Sequence, residues 1–501
     1  MSMTPEAAVL NPEPLNTLRA LHAIIQQAAQ LGTPVHEVER AVWEQMLRIG
    51  RQTLQQFFTL LGSGDQGAAV VLPDDRTVER LPDLHPRRYV SIFGIFLLQR
   101  TVYGSREGQK IEFVPLDNRL QLPGSAFSYV LQDWDQALCV EQAFGQVATT
   151  VSRMLGLKQS VDSLEHMNQE MAQEATPYRL DRPAPPAAEE GPVFVASADG
   201  KGVVLRREAD ASPPPGHRTK GDKASRKRMA TVGAVYSVDR YVRTPEEVVA
   251  ALFRDEPQTP RASRPTPRHK HVWASLPQDN PDKLSGMEAV YVWMLWELAT
   301  RNPKQAKETV YLHDGQEALW DAQARLLPAA HSVEVLDLLH VTPRVWQAAH
   351  VFHREGSDAA EQFVRERLLR ILPGKGVGVI RGLREMGTKR GLKGPKKETL
   401  RTVCGYLERN MERMHYDRCL AAGYPIASGV IEGACRHVVK DRMERAGMHW
   451  TLPGAAAMLE VRSIAVSGDW EDFQIYRIQQ EAQRLYPYRA LVEGPEYMMA
   501  G

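Results

Sequence analysis

The sequence has little of what secreted or membrane proteins depend on. Its four cysteines, Cys139, Cys404, Cys419 and Cys435, are scattered and form no C-x-x-C pair. That excludes a disulfide framework and zinc-ribbon spacing, and fits a reducing compartment. The most apolar run, Tyr89 to Leu98, is too short to span a bilayer, and the first residues show no basic stretch followed by an apolar one. Neither secretion nor membrane insertion is expected. Charge of one sign is also missing: 62 Lys plus Arg face 61 Asp plus Glu. Any anionic partner must therefore be met by local clusters, because the field of the whole molecule is nearly neutral. What remains is ordinary globular composition, 43% hydrophobic and 25% charged over 501 residues, enough for about three domains at roughly 150 residues each.

Periodicity divides the chain. Apolar positions recur at helical spacing from Leu15 to Leu61, so residues 1–84 read as a helical region. Residues 85–176 combine a β-hairpin, Phe93–Tyr103 against Lys110–Leu116 around Gly104–Gly108, with two helices broken at Gly156 in the cadence of a helix–turn–helix. Residues 177–192 are proline-rich, acidic and aperiodic, a linker by composition. The β runs VFVASADG and ATVGAVYSV follow, then a helix with Thr244 as N-cap and Pro245 at its first position. A strongly apolar helix over Ser285–Thr300, the strand ETVYLHDG, the helix QEALWDAQARLL and the strand SVEVLDLLHV complete a mixed sheet with crossover helices over 193–341. Residues 342–423 are helical around a basic, glycine-rich run, and 424–501 carry the last helices. Residues 201–230 hold nine Lys or Arg against three acids, and residues 370–401 ten against two.

Carboxylates at the ends of neighbouring strands converge, because parallel strands lie about 4.8 Å apart and open α/β sheets bind ligands at their strand ends. Asp199 and Asp314 fit that placement, each after an apolar strand and before a glycine. Paired acids repel at neutral pH unless cations hold them together. Glu432, four residues after the N-cap candidate Ser428, offers a third carboxylate among small and apolar neighbours. Taken singly, each of these acids is an ordinary turn or cap residue. Together with two basic stretches they describe a metal-dependent phosphoryl-transfer site acting on nucleic acid.

The motifs SADGKGV, YLHDG, Asp337-Leu-Leu-His340 and above all GYPIASGVIEGACRHVVKDRMERAGMHW resemble DDE transposases of bacterial insertion sequences, closest to the Kra-type group. The resemblance covers roughly residues 85–480 and is most specific in the last motif. It implies an α/β, RNase H-like (retroviral integrase-like) catalytic domain with an all-α insertion, preceded by a mainly helical N-terminal domain with a small β-hairpin. It further implies the triad Asp199, Asp314 and Glu432, two Mg²⁺ or Mn²⁺ ions, and Asp337 and His340 near the active site. Its partners would be double-stranded DNA, as transposon ends and target, and further copies of the chain assembled on that DNA, in the bacterial cytoplasm at the nucleoid and without a membrane.

Arg436 and Lys440, four apart after Glu432, are placed to hold phosphates, and Lys220, Lys223, Arg226, Lys227 and Arg228 to contact the DNA backbone. Trp450 reads either as a base-stacking ring or as a core residue, and His340 either as a site residue or as a buried histidine satisfied by a backbone carbonyl. Two other readings stay open: a nuclease of the same fold that cuts without joining, and a domesticated DNA-binding protein. Paired-carboxylate glycoside hydrolysis is remote, because two basic stretches and few aromatics flank the acids.

Overall fold

The computed structural model describes residues 12–104, 111–206, 227–256, 263–277, 284–445 and 448–492. They fall into two compact units, Met1–Asn168 with Glu471–Gly501, and Gln169–Trp470. No helix among the described residues is long and apolar enough to cross a membrane.

The first unit opens with two helices, α1 (Glu13–Leu31) and α2 (Val35–Leu61). Gly32 ends α1 in the left-handed conformation that a residue without Cβ adopts at little cost. Six short strands follow: β1 (Ala69–Val71), β2 (Thr77–Arg80), β3 (His85–Ser91), β4 (Gly94–Arg100), β5 (Tyr103–Gly104) and β6 (Ile111–Phe113). The expected hairpin is displaced. Its long arm, β4, pairs with β3 around a tight turn at Ile92-Phe93, and only Tyr103–Gly104 meets Ile111–Phe113. The displacement follows from packing: Phe96 and Leu98 of β4 bury against Phe58 of α2, with Tyr89 of β3 beside them. Helices α3 (Pro115–Leu120), α4 (Tyr129–Cys139), α5 (Phe144–Leu155) and α6 (Val161–Gln173) come next. Gly156 caps α5 in the left-handed region, as its position predicts, and Ser160 Oγ accepts the Ser163 N–H at the start of α6. The helix Trp470–Leu485 returns to this unit, where Arg477 Nη1 donates to Gln132 Oε1 at 2.9 Å and Glu481 accepts the Gly124 N–H at 2.8 Å.

The second unit begins with α7 (Ala175–Asp181), so part of the proline-rich acidic stretch is helical and packed. Beyond it, Arg182 pairs with Glu297 and Asp469, and buried Glu190 takes the Arg301 guanidinium. The sheet comprises β7 (Val193–Val204), β8 (Lys227–Val238), β9 (Arg268–Ser275), β10 (Glu308–His313) and β11 (Ser332–Leu336), in spatial order β11-β10-β7-β8-β9. β8 runs antiparallel to β7 and β9 antiparallel to β8, while β10 and β11 run parallel to β7. β9 starts inside a stretch rich in proline, arginine and histidine.

Both faces of the sheet are covered, which is why β7 is nearly continuously apolar at its start. Phe194, Ala196 and Ala198 pack under α9 (Gly286–Arg301) and α10 (Glu317–Leu326). Val193 and Val195 face the helical side, with α8 (Pro245–Leu252) and α11 (Leu338–Phe352). Thr244 caps α8 and Ser285 caps α9, each reciprocated by a glutamate three residues on. A Cβ on Gly233 of β8 would stand 2.5 Å from Val290 Cγ1, so glycine there lets α9 lie close on the sheet.

After β11 the chain is helical: α11, α12 (Asp358–Ile371), α13 (Gly376–Lys389), α14 (Gly394–Arg409), α15 (Tyr416–Ala422) and α16 (Gly429–Ala434). A π-helical turn (Cys435–Lys440), α17 (Asp441–Met443) and α18 (Leu452–Ser467) follow. The glycine-rich basic run is thus no flexible break: most of it is α13, whose Val379, Ile380 and Leu383 are buried. Gly387 brings α13 close to α14, since a Cβ there would lie 2.7 Å from Leu400 Cδ2.

Candidate active site

The second unit carries the candidate acids, and the sheet register explains how two of them meet. β10 pairs with β7 in parallel from Glu308↔Val193 to Tyr311↔Ala196. Beyond the ladder the same offset of 115 residues continues: Ser197 Oγ donates to the Leu312 carbonyl, and the Ala198 N–H donates to His313 Nδ1 at 3.1 Å. Asp199 and Asp314 are the next pair at that offset, side by side where β10 has ended. Asp199 does not end its strand as the sequence suggests. β7 runs on to Val204 because β8 pairs with it throughout, and Asp199 sits opposite Val232. The strand end that matters belongs to β10, and Asp314 follows it directly.

Local hydrogen bonds fix each carboxylate. Asp314 Oδ1 accepts the Gln316 N–H at 2.8 Å, closing a turn before α10, and its carbonyl accepts Trp320 Nε1–H at 2.8 Å. Asp199 Oδ1 accepts the Gly200 N–H at 2.7 Å, and the Cys435 thiol lies 3.5 Å from Oδ2. Cys435 brings the π-helical turn against β7, where burial and the Asp199 charge push its thiol up. Single π turns inside helices are frequent at functional sites.

Asp337 stands differently from its sequence reading. The strand stops at Leu336, and Asp337 is the N-cap of α11, with Oδ1 accepting the Leu339 N–H at 2.8 Å and the Ser428 N–H at 3.4 Å. Its own N–H donates to the His313 carbonyl at 2.9 Å, and Leu338 N–H donates to Ile426 O at 2.9 Å. The cap therefore ties β10, α11 and the approach to α16 together. Ser428 caps α16 as expected, accepting the Ile431 N–H at 3.1 Å, and Glu432 lies on that helix. His340 Nδ1 is 3.5 Å from Asp337 Oδ2, one helical turn on. Ligand atoms of Asp337, His340 and Glu432 all lie within 4.8 Å of one another.

Electrostatics join the five side chains into one cluster. Partial burial raises the Asp314 carboxyl above its usual range against the pull of the Gln316 N–H, and the charges of Asp199 and Asp337 add to the rise while His340 opposes it. Glu432 is raised by partial desolvation and by Asp337 and Asp199, again opposed by His340. His340 is raised in turn by the Asp337 carboxylate and, more weakly, by Asp314 and Asp199. Carboxylates raised by the charge of neighbouring carboxylates are the donor set that a divalent cation relieves. His313, buried behind them with its Nδ1 accepting the Ala198 N–H, is held neutral, its pKa lowered to about 3 by desolvation.

The basic residues are less gathered. Arg436 and His437 are exposed and share Asp441, at 3.5 Å and 3.2 Å, and Lys440 is exposed on the same π turn. Lys227 pairs with Glu444 at 2.7 Å, and Lys227 and Arg228 begin β8 opposite Val204 and Val203. Lys220, Lys223 and Arg226 lie outside the described residues. Trp450 is a core residue, 7% exposed, with Arg442 over its ring at 4.9 Å and Nε1 donating to the Met443 carbonyl at 3.3 Å. Sequence reasoning missed Tyr406 of α14, whose ring touches Gly315, and its position carries no local signal.

No known family profile matches the chain, and no curated protein matches it. Among solved structures it is similar to the Drosophila P element transposase strand transfer complex, at 10% identity and a TM-score of 0.24, over 72% of this chain and 84% of that one. A likeness of that size carries no argument about this chain.

Proposed function

We propose that this chain is a DDE-type transposase of the Kra-type insertion-sequence group, built on an RNase H-like core, which cleaves and joins double-stranded DNA at transposon ends. The observation that supports the reading is that Asp199 and Asp314 follow each other at the β7–β10 register offset, with the Asp199 charge bearing on both Asp314 and Glu432. The 3-2-1-4-5 strand order of the sheet, with its second strand alone antiparallel to both neighbours, supports the RNase H-like assignment. The sequence motifs supply the family.

The donor set suits hard divalent cations, because it is made of carboxylate oxygens, and the Asp199 charge raises both Asp314 and Glu432. Asp199, Asp314 and Glu432 would hold Mg²⁺ or Mn²⁺, and the bound ions would supply Lewis acidity and a water or 3′-hydroxyl nucleophile at neutral pH. The chain's own residues do the positioning. The β7–β10 register fixes the two aspartates, the Asp314–Gln316 turn orients one carboxylate, and the Ser428 cap sets where Glu432 stands. Arg436 and Lys440 are exposed next to Glu432, where they would take the phosphates flanking the cut. Transposon ends, target DNA and a second copy of the chain are the partners this reading requires.

The test is a cleavage and strand-transfer assay on the element's terminal repeats, with wild type beside Asp199→Ala, Asp314→Ala and Glu432→Ala. Metal-dependent joining by wild type, with each variant binding DNA and failing to cut, is the expected result. Cutting without joining selects a nuclease, binding without cutting selects a DNA-binding relic, and variants as active as wild type place the chemistry elsewhere.

A further inference from the structure

The acid cluster holds one side chain that a pure carboxylate site has no use for. We propose that Asp337, His340 and Glu432 form a nitrogen-containing ligand set for a first-row transition ion of the Mn²⁺ class, next to the Asp199–Asp314 pair. This deepens the reading above and rests on the site being a divalent-cation centre.

Three observations carry it. Their ligand atoms lie within 4.8 Å of one another, so a small closing of the side chains lets all three act as donors that each sit about 2.1 Å from a shared ion. Asp337 is 1% exposed, and its Oδ1 is committed to the N–H groups of Leu339 and Ser428, which pins the carboxylate with Oδ2 on the His340 side. His340 Nδ1 is shielded from solvent and has no well-formed hydrogen bond, its partner Asp337 Oδ2 standing at the long distance of 3.5 Å. A shielded ring nitrogen with only a long contact, facing two carboxylates, is poorly satisfied as a structural feature and useful as a ligand.

The charges nearby agree. The Asp199 and Asp337 carboxylates bear on both Asp314 and Glu432, and His340 opposes them at both. A neutral imidazole bound to a divalent ion removes more of that excess than a protonated imidazole does. Imidazole nitrogen also shifts preference from Mg²⁺ and Ca²⁺ toward Mn²⁺ and later first-row ions, while carboxylates still accept Mn²⁺.

The experiment needs no DNA. The full-length protein, stripped with EDTA, is titrated with Mn²⁺ while the free aquo-ion is counted by electron paramagnetic resonance, and the bound ion is probed by pulsed measurement of ¹⁴N coupling. Wild type is expected to bind Mn²⁺ with the coupling of one imidazole. His340→Ala and His340→Gln should lose the coupling and weaken Mn²⁺ binding about tenfold or more, as for a lost metal partner. Excess Mg²⁺ should displace Mn²⁺ readily from the variants and poorly from wild type. Absence of ¹⁴N coupling in wild type overturns the proposal, whether or not the variants fold, and so does retention of coupling in folded His340→Ala. Imidazole-coupled Mn²⁺ in a protein that never cuts DNA would sink the phosphodiester reading and leave this site standing. DNA cleavage without any ¹⁴N signal would do the reverse.

Discussion

Asp314→Asn should make the metal-free protein more stable. Asp199 on β7 and Asp314, the residue after the parallel strand β10, are the next pair at the ladder's offset, which puts them about one strand spacing apart. At a separation of about 5 Å and an effective dielectric of about 20, two carboxylates repel by about 3 kcal/mol. Both side chains are partly exposed, so solvent screening brings the usable figure nearer about 1 kcal/mol. An amide at 314 keeps the oxygen that accepts the Gln316 N–H and removes the repulsion. In EDTA at pH 7 the midpoint of thermal unfolding, followed by circular dichroism, should rise by about 2–4 °C. The sign with pH follows from the raised Asp314 carboxyl. A group whose folded pKa exceeds its unfolded value favours the folded state at low pH and loses that contribution as pH rises through the folded pKa. The variant's advantage should therefore fade as pH is lowered toward the ordinary 3.8. Saturating Mg²⁺ or Mn²⁺ should invert the ranking. At about a hundred times Kd, binding stabilises wild type by about 2.7 kcal/mol, and the variant has lost a ligand. A variant no more stable than wild type in EDTA, or one stabilised by metal to the same degree, refutes the claim that these two acids form a cation site.

Much of this was legible from residues and some was not, for reasons that can be named. Asp199 and Asp314 are legible because a run of β-branched and aromatic residues before an acid reports a strand, and the two strands are parallel neighbours, although the first runs on past Asp199. Glu432 was findable through the Ser428 cap, which sets a helix start. Asp337 was misplaced because Leu338–Val341 are as apolar as the strand before them. Only the capping bond to Leu339 N and the docking of Leu338 N on Ile426 O turn the chain into a helix there. The run from Gly376 to Lys389 is hidden for the opposite reason: its glycines mask a helix in which Val379, Ile380 and Leu383 follow helical spacing and the close approach to Leu400 selects Gly387. The return of Trp470–Leu485 to the first unit rests on contacts such as Arg477 with Gln132, which no local pattern announces.

Two further outcomes test the physics away from the metal. Asp135 in α4 is fully buried, with Oδ2 accepting Gln159 Nε2–H at 2.7 Å and Oδ1 without a hydrogen-bond partner, and desolvation pushes its carboxyl up to about 7. Because the folded value is raised, wild type loses stability as pH climbs from about 4 to 7, and the urea-unfolding gap between Asp135→Asn and wild type should widen by up to about 4 kcal/mol over that window; a gap independent of pH would show the carboxyl is not perturbed. The other outcome separates two Asp-Gly pairs that look alike in sequence. A Cβ on Gly315 would stand 2.2 Å from Tyr406 Cε2 and 2.7 Å from Cζ, and an aromatic ring in a buried cluster has no room to retreat. A Cβ on Gly200 would meet only the flexible Met229 Cε, at 3.1 Å. Gly315→Ala should therefore cost about 1–3 kcal/mol in urea unfolding, and it should reduce DNA cleavage by tilting Asp314 away from Asp199. Gly200→Ala should stay within about 0.5 kcal/mol of wild type. Equal costs at both positions would mean that the glycine after Asp314 is there for its turn alone, and that α14 does not set the position of the second aspartate.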